Sequence, residues 1–337
     1  MTGLIMETKS KKISNIDGQA AKASGTRRKS SYSIDEPKRE RRGKWRENIE
    51  ELCQEMVSHL DEGERESAAR SSYKYFTASV INDDHKPTIE ERDQAACAMA
   101  RRHLIAEKGH KVKALRKMKA TIQHREEVQI DTIRRCFETD IEGEVYSDFR
   151  SSLEEELSTG KMIVRGYDKE KRALFNYFPR LKNSEHEVNF LRIHYYMVER
   201  AIACTERASN GSQEKVIVLV DYGGYKGAIH DPPLKLTKKM VFYLRDHYPE
   251  RMHRVYLINA PVLFRAFWTL LKPFLDPVTK KKFRFVTGDK ERAAFFSDKI
   301  SADQAMPFTL PDGKMTSPIN PEKFFYEIPF DYAYDEV

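Results

Sequence analysis

The run KVIVLVDYGG, residues 215–224, constrains the fold more than any other stretch. It sets five β-branched or leucine side chains in a row and then stops at Asp221 and a glycine pair. A strand without a polar face needs cover on both sides, as in a parallel sheet sandwiched by helices. The flanking sequence fits that requirement. KMIVRG and RALFNYF bracket YDKEK and predict two strands joined by a turn. Leu191, Tyr195, Val198, Ile202 and Thr205 then recur with helical spacing. Beyond the apolar run, a helix is predicted over about 236–248, then the strand RVYLINAP, another helix and the strand KKFRFV. Strands alternating with helices predict an α/β layer with a mixed, mainly parallel sheet flanked by helices.

Upstream, residues 46–157 read as a helical lobe. Ile49, Leu52, Met56 and Leu60 share one helix face. Thr88 followed by Glu91 is a capping-box signature, and that helix should close near Gly109. Val112, Leu115, Met118 and Ile122 mark a third apolar stripe. The sheet domain is expected over 158–300, with 301–337 as an extension packed on it.

Charge is informative once located. The net +7 falls entirely in residues 1–45, where 12 Lys and Arg face 5 Asp and Glu. The body is balanced, which argues against nucleic-acid binding. The tail is rich in Ser, Lys and Arg and predicts disorder. It reads either as a solvated leader or as a polybasic attraction to anionic membrane, and Ser30 and Ser31 sit in a basophilic-kinase context. No run reaches 18 uninterrupted apolar residues, and the first residues lack a long apolar core. With four dispersed cysteines and no CxxC pair, the expectation is a cytoplasmic chain without disulfides or zinc.

The chemistry-bearing candidates are weak. DYGGYKG lacks the spacing of a phosphate loop and reads as a chain bend. Asp221 ends a strand but has no serine elbow nearby. The ten His residues show no metal-ligand spacing, and Glu154, Glu155 and Glu156 read as a solvated helix face. No enzyme, metal or cofactor is expected.

Residues 262–275 are different. Ten of these 14 residues are apolar or Ala, and four are large aromatics. Arg265, Thr269, Lys272 and Asp276 form one narrow polar stripe, leaving the rest of the circumference apolar. Such a helix is either a core helix or one that touches a second apolar medium. Pro273 should weaken its last turn.

The stretch HYPERMHRVYLINAPVLFRAFWTLLKPFLDPVTKKKFRFV resembles the CRAL-TRIO family of phosphatidylinositol/phosphatidylcholine transfer proteins. YPERM, INAP and KPFLDPVT occur in order, RRHLIAEKGHKVKALRKMKATIQHREE resembles the family's N-terminal segment, and VRGYDKEKRALF its first hairpin. The resemblance covers about 90–300. It implies an apolar lipid pocket floored by the sheet and a mobile gate helix over 262–275, with Phe264, Phe267, Trp268, Leu271 and Phe274 on it. It further implies Glu250, Thr279 and Lys282 as the phosphoinositol site, with Arg102 contributing. Fixed cations and a hydroxyl suit a phosphodiester. Lys280, Lys281 and Arg284 beside the gate would meet an anionic membrane transiently. Two departures stand out. Lys171 and Ala173 replace the family's Gly and Pro in the hairpin turn. Val216 and Val218 stand where choline-lipid members place hydroxyls, which leaves phosphatidylinositol as the implied cargo. The expectation is a monomeric, peripherally membrane-associated carrier. The rival readings are a carrier of a tocopherol, retinoid or sterol-like molecule, and a non-transferring scaffold.

Overall fold

The computed structural model describes residues 45–337 apart from 82–85, 139–140, 182–185, 228–232 and 276, and leaves out the side chains at 157, 263, 265–267 and 271. The basic tail with Ser30 and Ser31, Asp276, and the side chains of Arg265, Phe267 and Leu271 therefore lie outside the described residues. Residues 42–337 form one compact unit.

The lobe opens with α1 (Ile49–Ser58), α2 (Glu62–Ala69) and a short turn, α3 (Tyr73–Phe76). α4 (Ile89–Ala106) starts at the expected capping box: the Glu91 N–H donates to Thr88 Oγ1 at 3.2 Å and the Thr88 N–H to Glu91 Oε2 at 2.8 Å. Gly109, in the left-handed region at φ 84°, turns the chain under Trp45, where a Cβ would come within 2.4 Å of the indole. α5 (Lys111–Glu127) corrects one expectation. Its buried stripe is Ala114, Met118, Thr121, Ile122 and Arg125, and Val112 is exposed. The stripe is rotated because Ala114 and Thr121 allow neighbouring helices a closer approach. α6 (Ile130–Arg135) and α7 (Glu144–Leu157) complete the lobe. On α7, Glu154 and Glu155 are exposed as expected, but Glu156 is buried.

The five strands are β1 (Met162–Tyr167), β2 (Ala173–Tyr177), β3 (Val216–Asp221), β4 (Met252–Ile258) and β5 (Phe283–Val286), adjacent in chain order. β1 and β2 form an antiparallel hairpin, and the other pairs are parallel. The crossovers are α8 (Glu187–Ala208), α9 (Leu234–His247), and α10 (Val262–Leu271) with α11 (Pro277–Lys282). Each crossover advances one strand in the same direction, so right-handed connections put all of them over one sheet face. That face presents Val218, Val220, Val255, Leu257, Phe283 and Phe285. The opposite face, with Ile217, Leu219, Tyr256 and Val286, packs on α12 (Asp289–Phe296) and the segment after it.

The C-terminal segment, including α13 (Pro321–Tyr326), is tied down by buried guanidinium groups. Arg200 donates to the carbonyls of Phe324 at 2.8 Å and Ile328 at 3.1 Å. Arg165 donates to Asp335 at 2.6 Å and to the Ser317 carbonyl at 3.1 Å.

Candidate functional site

Three strand beginnings create the site. Lys215 immediately precedes β3, Glu250 stands two residues before β4, and Lys282 immediately precedes β5. β3 and β4 begin level with each other and β5 begins beside Val255 of β4, which brings the three positions within reach of one another. Lys215 Nζ donates to Glu250 Oε2 at 3.0 Å, and Lys282 Nζ lies 3.8 Å from the same oxygen. Thr279 sits one helical turn before Lys282 on α11, half-buried. The DPVTKKK stretch is helical from Pro277 onward, and this spacing puts Thr279 and Lys282 on one helix face.

Glu250 has φ 58°, a conformation that costs a side-chain-bearing residue about 1–2 kcal/mol. Its neighbours hold it there. The Tyr248 hydroxyl donates to Glu199 Oε1 at 2.7 Å, and buried Arg251 donates to Glu206 Oε1 at 2.9 Å and to the Ser71 carbonyl at 2.8 Å. Strain kept in place by surrounding bonds is characteristic of ligand sites.

Arg102 adjoins this cluster through Glu214. It is buried, with Nη1 donating to Glu214 Oε2 and Nη2 to Ser71 Oγ, each at 2.9 Å. Burial, with Arg251 beside it, pulls its guanidinium down to about 10. Among the described residues no ion pair joins it to Glu250. It supports the site through Glu214, the chain neighbour of Lys215. The sequence reading overlooked Lys215. Its only signal was a cation at the last position before the apolar run.

Beyond this charged edge lies an apolar sheet face. Val218, in the central strand, is only half-buried on the crossover face, whereas Ile217 and Leu219 on the opposite face are fully buried. α10 spans this face. Phe264 is buried with its ring 4.3 Å from that of Tyr222, and the Trp268 ring stands 4.5 Å from that of Phe283. On the outside, Val262 and Leu270 are exposed, with Thr269 and Lys272 beside them. Residues 272–274 tighten to a 3₁₀ turn around Pro273, and Phe274 meets Phe242 of α9 edge-on at 5.7 Å.

The remaining candidates settle into structural roles. Asp221 is buried, accepts from Arg180 Nη1 at 2.6 Å and from the Gly223 N–H at 2.9 Å, and so holds the bend of DYGGYKG. Alternation along β5 sends Arg284 to the sheet face opposite α10, where its guanidinium lies 3.9 Å from the Phe295 ring centre. It therefore does not stand beside α10. Among the described residues no helix is long and apolar enough to cross a membrane, and no three His, Cys, Asp or Glu side chains could hold a metal ion.

Residues 157–307 match the CRAL/TRIO domain family and form a CRAL/TRIO domain. The chain is 39% identical over 134 residues to the phosphatidylinositol transfer protein PDR17 of Saccharomyces cerevisiae, covering 39% of this chain and 37% of that one. It is 25% identical over 190 residues to the phosphatidylinositol transfer protein CSR1 of Eremothecium gossypii, covering 52% of this chain and 41% of that one. A human alpha-tocopherol transfer protein-like sequence is 30% identical over 95 residues, 28% of this chain and 26% of that one. The matched stretches thus span well under half of these relatives.

Proposed function

We propose that this CRAL/TRIO-domain protein binds one phospholipid, phosphatidylinositol, and moves it between membranes without covalent chemistry. The observation that carries this reading is the half-buried Val218 beneath α10, at the centre of an apolar sheet face. Acyl chains would lie against Val218, Val255 and Phe283, and each buried methylene contributes about 0.8 kcal/mol. The headgroup would sit at the strand beginnings. Lys215 and Lys282 would meet the phosphodiester, Thr279 would supply a hydroxyl, and Glu250 would accept from inositol hydroxyls while orienting both lysines.

The gate function falls to α10. Its inner aromatics, Phe264 and Trp268, cover the cargo, and its exposed Val262 and Leu270 would enter the lipid boundary when the protein docks. Lys280 would add attraction to an anionic surface of a cytoplasmic membrane. Escape into water is slow because the chains would be exposed, so exchange depends on opening at a bilayer.

Native mass spectrometry of the purified protein and transfer of labelled phosphatidylinositol between vesicles test this directly. Bound lipid and transfer are expected, and absence of both rejects the reading. The tocopherol-like relative keeps a second cargo in play, since the same apolar face would accept a non-phosphorylated hydrophobe. Lys282→Ala decides between them: selective loss of phosphatidylinositol binding supports the inositol lipid, and unchanged cargo supports the other.

A further inference from the structure

A second cleft, of about 640 Å³, opens on the sheet face opposite α10. Its floor is Ile217 and Tyr256, and its walls are the β1–β2 hairpin on one side and Phe295 with the α11–β5 junction on the other. That volume is in the range of small-molecule sites.

Its charges are unevenly matched. Arg172 takes up Asp168 at 3.0 Å and Glu170 at 2.5 Å, and Lys299 takes up Asp298 at 2.7 Å. Those acids are therefore committed. Lys169, Arg254, Lys281 and Arg284 also line the cleft, and among the described residues none of the four has a carboxylate partner, Lys169 being spent on the Ser297 carbonyl at 3.0 Å. The Arg254 guanidinium reaches only the Lys281 carbonyl, at 3.2 Å, and Arg284 lies over the Phe295 ring.

The backbone sets this concentration up. Between Val216↔Met252 and Ile217↔Arg254 the β3–β4 register slips by one residue, a bulge at His253. A bulge lets consecutive side chains lean to one side, and His253 and Arg254 both line the cleft. Downstream, Tyr256 pairs with Arg284, so the two arginines flank Tyr256 on one sheet face. Like charges so placed repel each other unless an anion lies between them.

We infer that this cleft binds a phosphomonoester carried on a flat or apolar body, with Arg254, Lys281 and Arg284 on the phosphate and Tyr256 and Phe295 against the body. A dianion answers three uncompensated cations better than a single carboxylate does. Arginine pairs bind phosphate oxygens bidentately. The site is separate from the Lys215–Glu250–Lys282 cluster and does not depend on the lipid-transfer reading.

The test is calorimetric titration of the full-length chain with 1-naphthyl phosphate and with inorganic phosphate, for wild type, Arg254→Gln/Arg284→Gln and Lys282→Ala. Saturable binding of one naphthyl phosphate per chain is expected, tighter than phosphate and weakened at least about tenfold in the double variant. Lys282→Ala should bind normally, and the double variant should keep its melting temperature because both arginines are exposed. Absence of binding, equal binding by the double variant, or loss only in Lys282→Ala overturns the proposal. Flotation with phosphatidylcholine vesicles containing phosphatidic acid identifies the source. Flotation lost with naphthyl phosphate binding points to a lipid headgroup, and flotation retained points to a soluble phosphomonoester. Flotation of a wild type that does not bind naphthyl phosphate means surface attraction only and overturns the cleft.

Discussion

Lys215 and Lys282, separated by 67 positions of sequence, share one carboxylate oxygen of Glu250, at 3.0 and 3.8 Å. Two cations converging on one acid make a site whose charge an arriving phosphodiester can reorganise. Lys215→Ala should therefore weaken phosphatidylinositol binding about as much as Lys282→Ala, by roughly tenfold for a lost charged hydrogen bond. Vesicle transfer assays check this, and an effect confined to Lys282 would remove Lys215 from the site.

The strained φ of Glu250 separates folding from binding. Glu250→Gly should raise unfolding stability by up to about 1 kcal/mol through relief of the left-handed backbone, while lowering phosphatidylinositol transfer. Urea midpoints and transfer rates measured together test both halves. A loss of stability would mean that the lysine contacts outweigh the strain.

Lys171 makes the same backbone argument without a site. It is exposed, has φ 66° in the turn between β1 and β2, and occupies the position where glycine was the expected residue. Lys171→Gly should add about 1 kcal/mol to stability and leave transfer unchanged.

Leu270 and Trp268 distinguish the two sides of α10. Leu270→Asp, on the exposed side, should slow transfer with a stability change within about 0.5 kcal/mol. Trp268→Ala loses its packing on Phe283 and should speed spontaneous lipid loss, read as dissociation in native mass spectrometry. If Leu270→Asp unfolds the protein, the outer side is a core contact.

Acid should weaken the fold in two stages. Burial holds His103 down at about 3 and His124 and His194 at about 4. The unfolded chain binds those protons near pH 6.5, so stability present above that pH is lost as pH falls toward 4. Glu199 follows. Burial opposes its ionisation, yet Arg125 and Arg134 hold it at about 2, so its contribution is present above about pH 4.3 and fades toward pH 2. Urea midpoints against pH should show the first decline, reduced in His194→Leu. Glu199→Gln should cost about 3–5 kcal/mol by leaving two buried arginines without their acid.

The sheet was legible because its strands are written as apolar runs between turn signals, and because the β/α alternation allows few topologies. The CRAL-TRIO resemblance supplied Glu250, Thr279 and Lys282, and the structure brings Lys282 to Glu250. What the sequence hid depended on packing. The stripe on α5 rotated away from Val112 because helix neighbours, not periodicity, choose the buried face. Arg102 looked like a ligand contact and is a buried ion-pair partner of Glu214, since exposure cannot be read from spacing. Arg284 is expected beside Lys280 and Lys281, but strand alternation sends it to the other face, where Lys281 alone joins it.

Arg165 and Arg200 also govern when the fold can close during synthesis. A ribosome that has delivered residues 157–307 holds a complete CRAL/TRIO stretch with two core guanidinium groups still lacking their acceptors, which come from residues 317–335. Those last contacts complete the hydrogen bonding of both groups. The buried charges of the domain are therefore satisfied only by a chain that reaches Asp335.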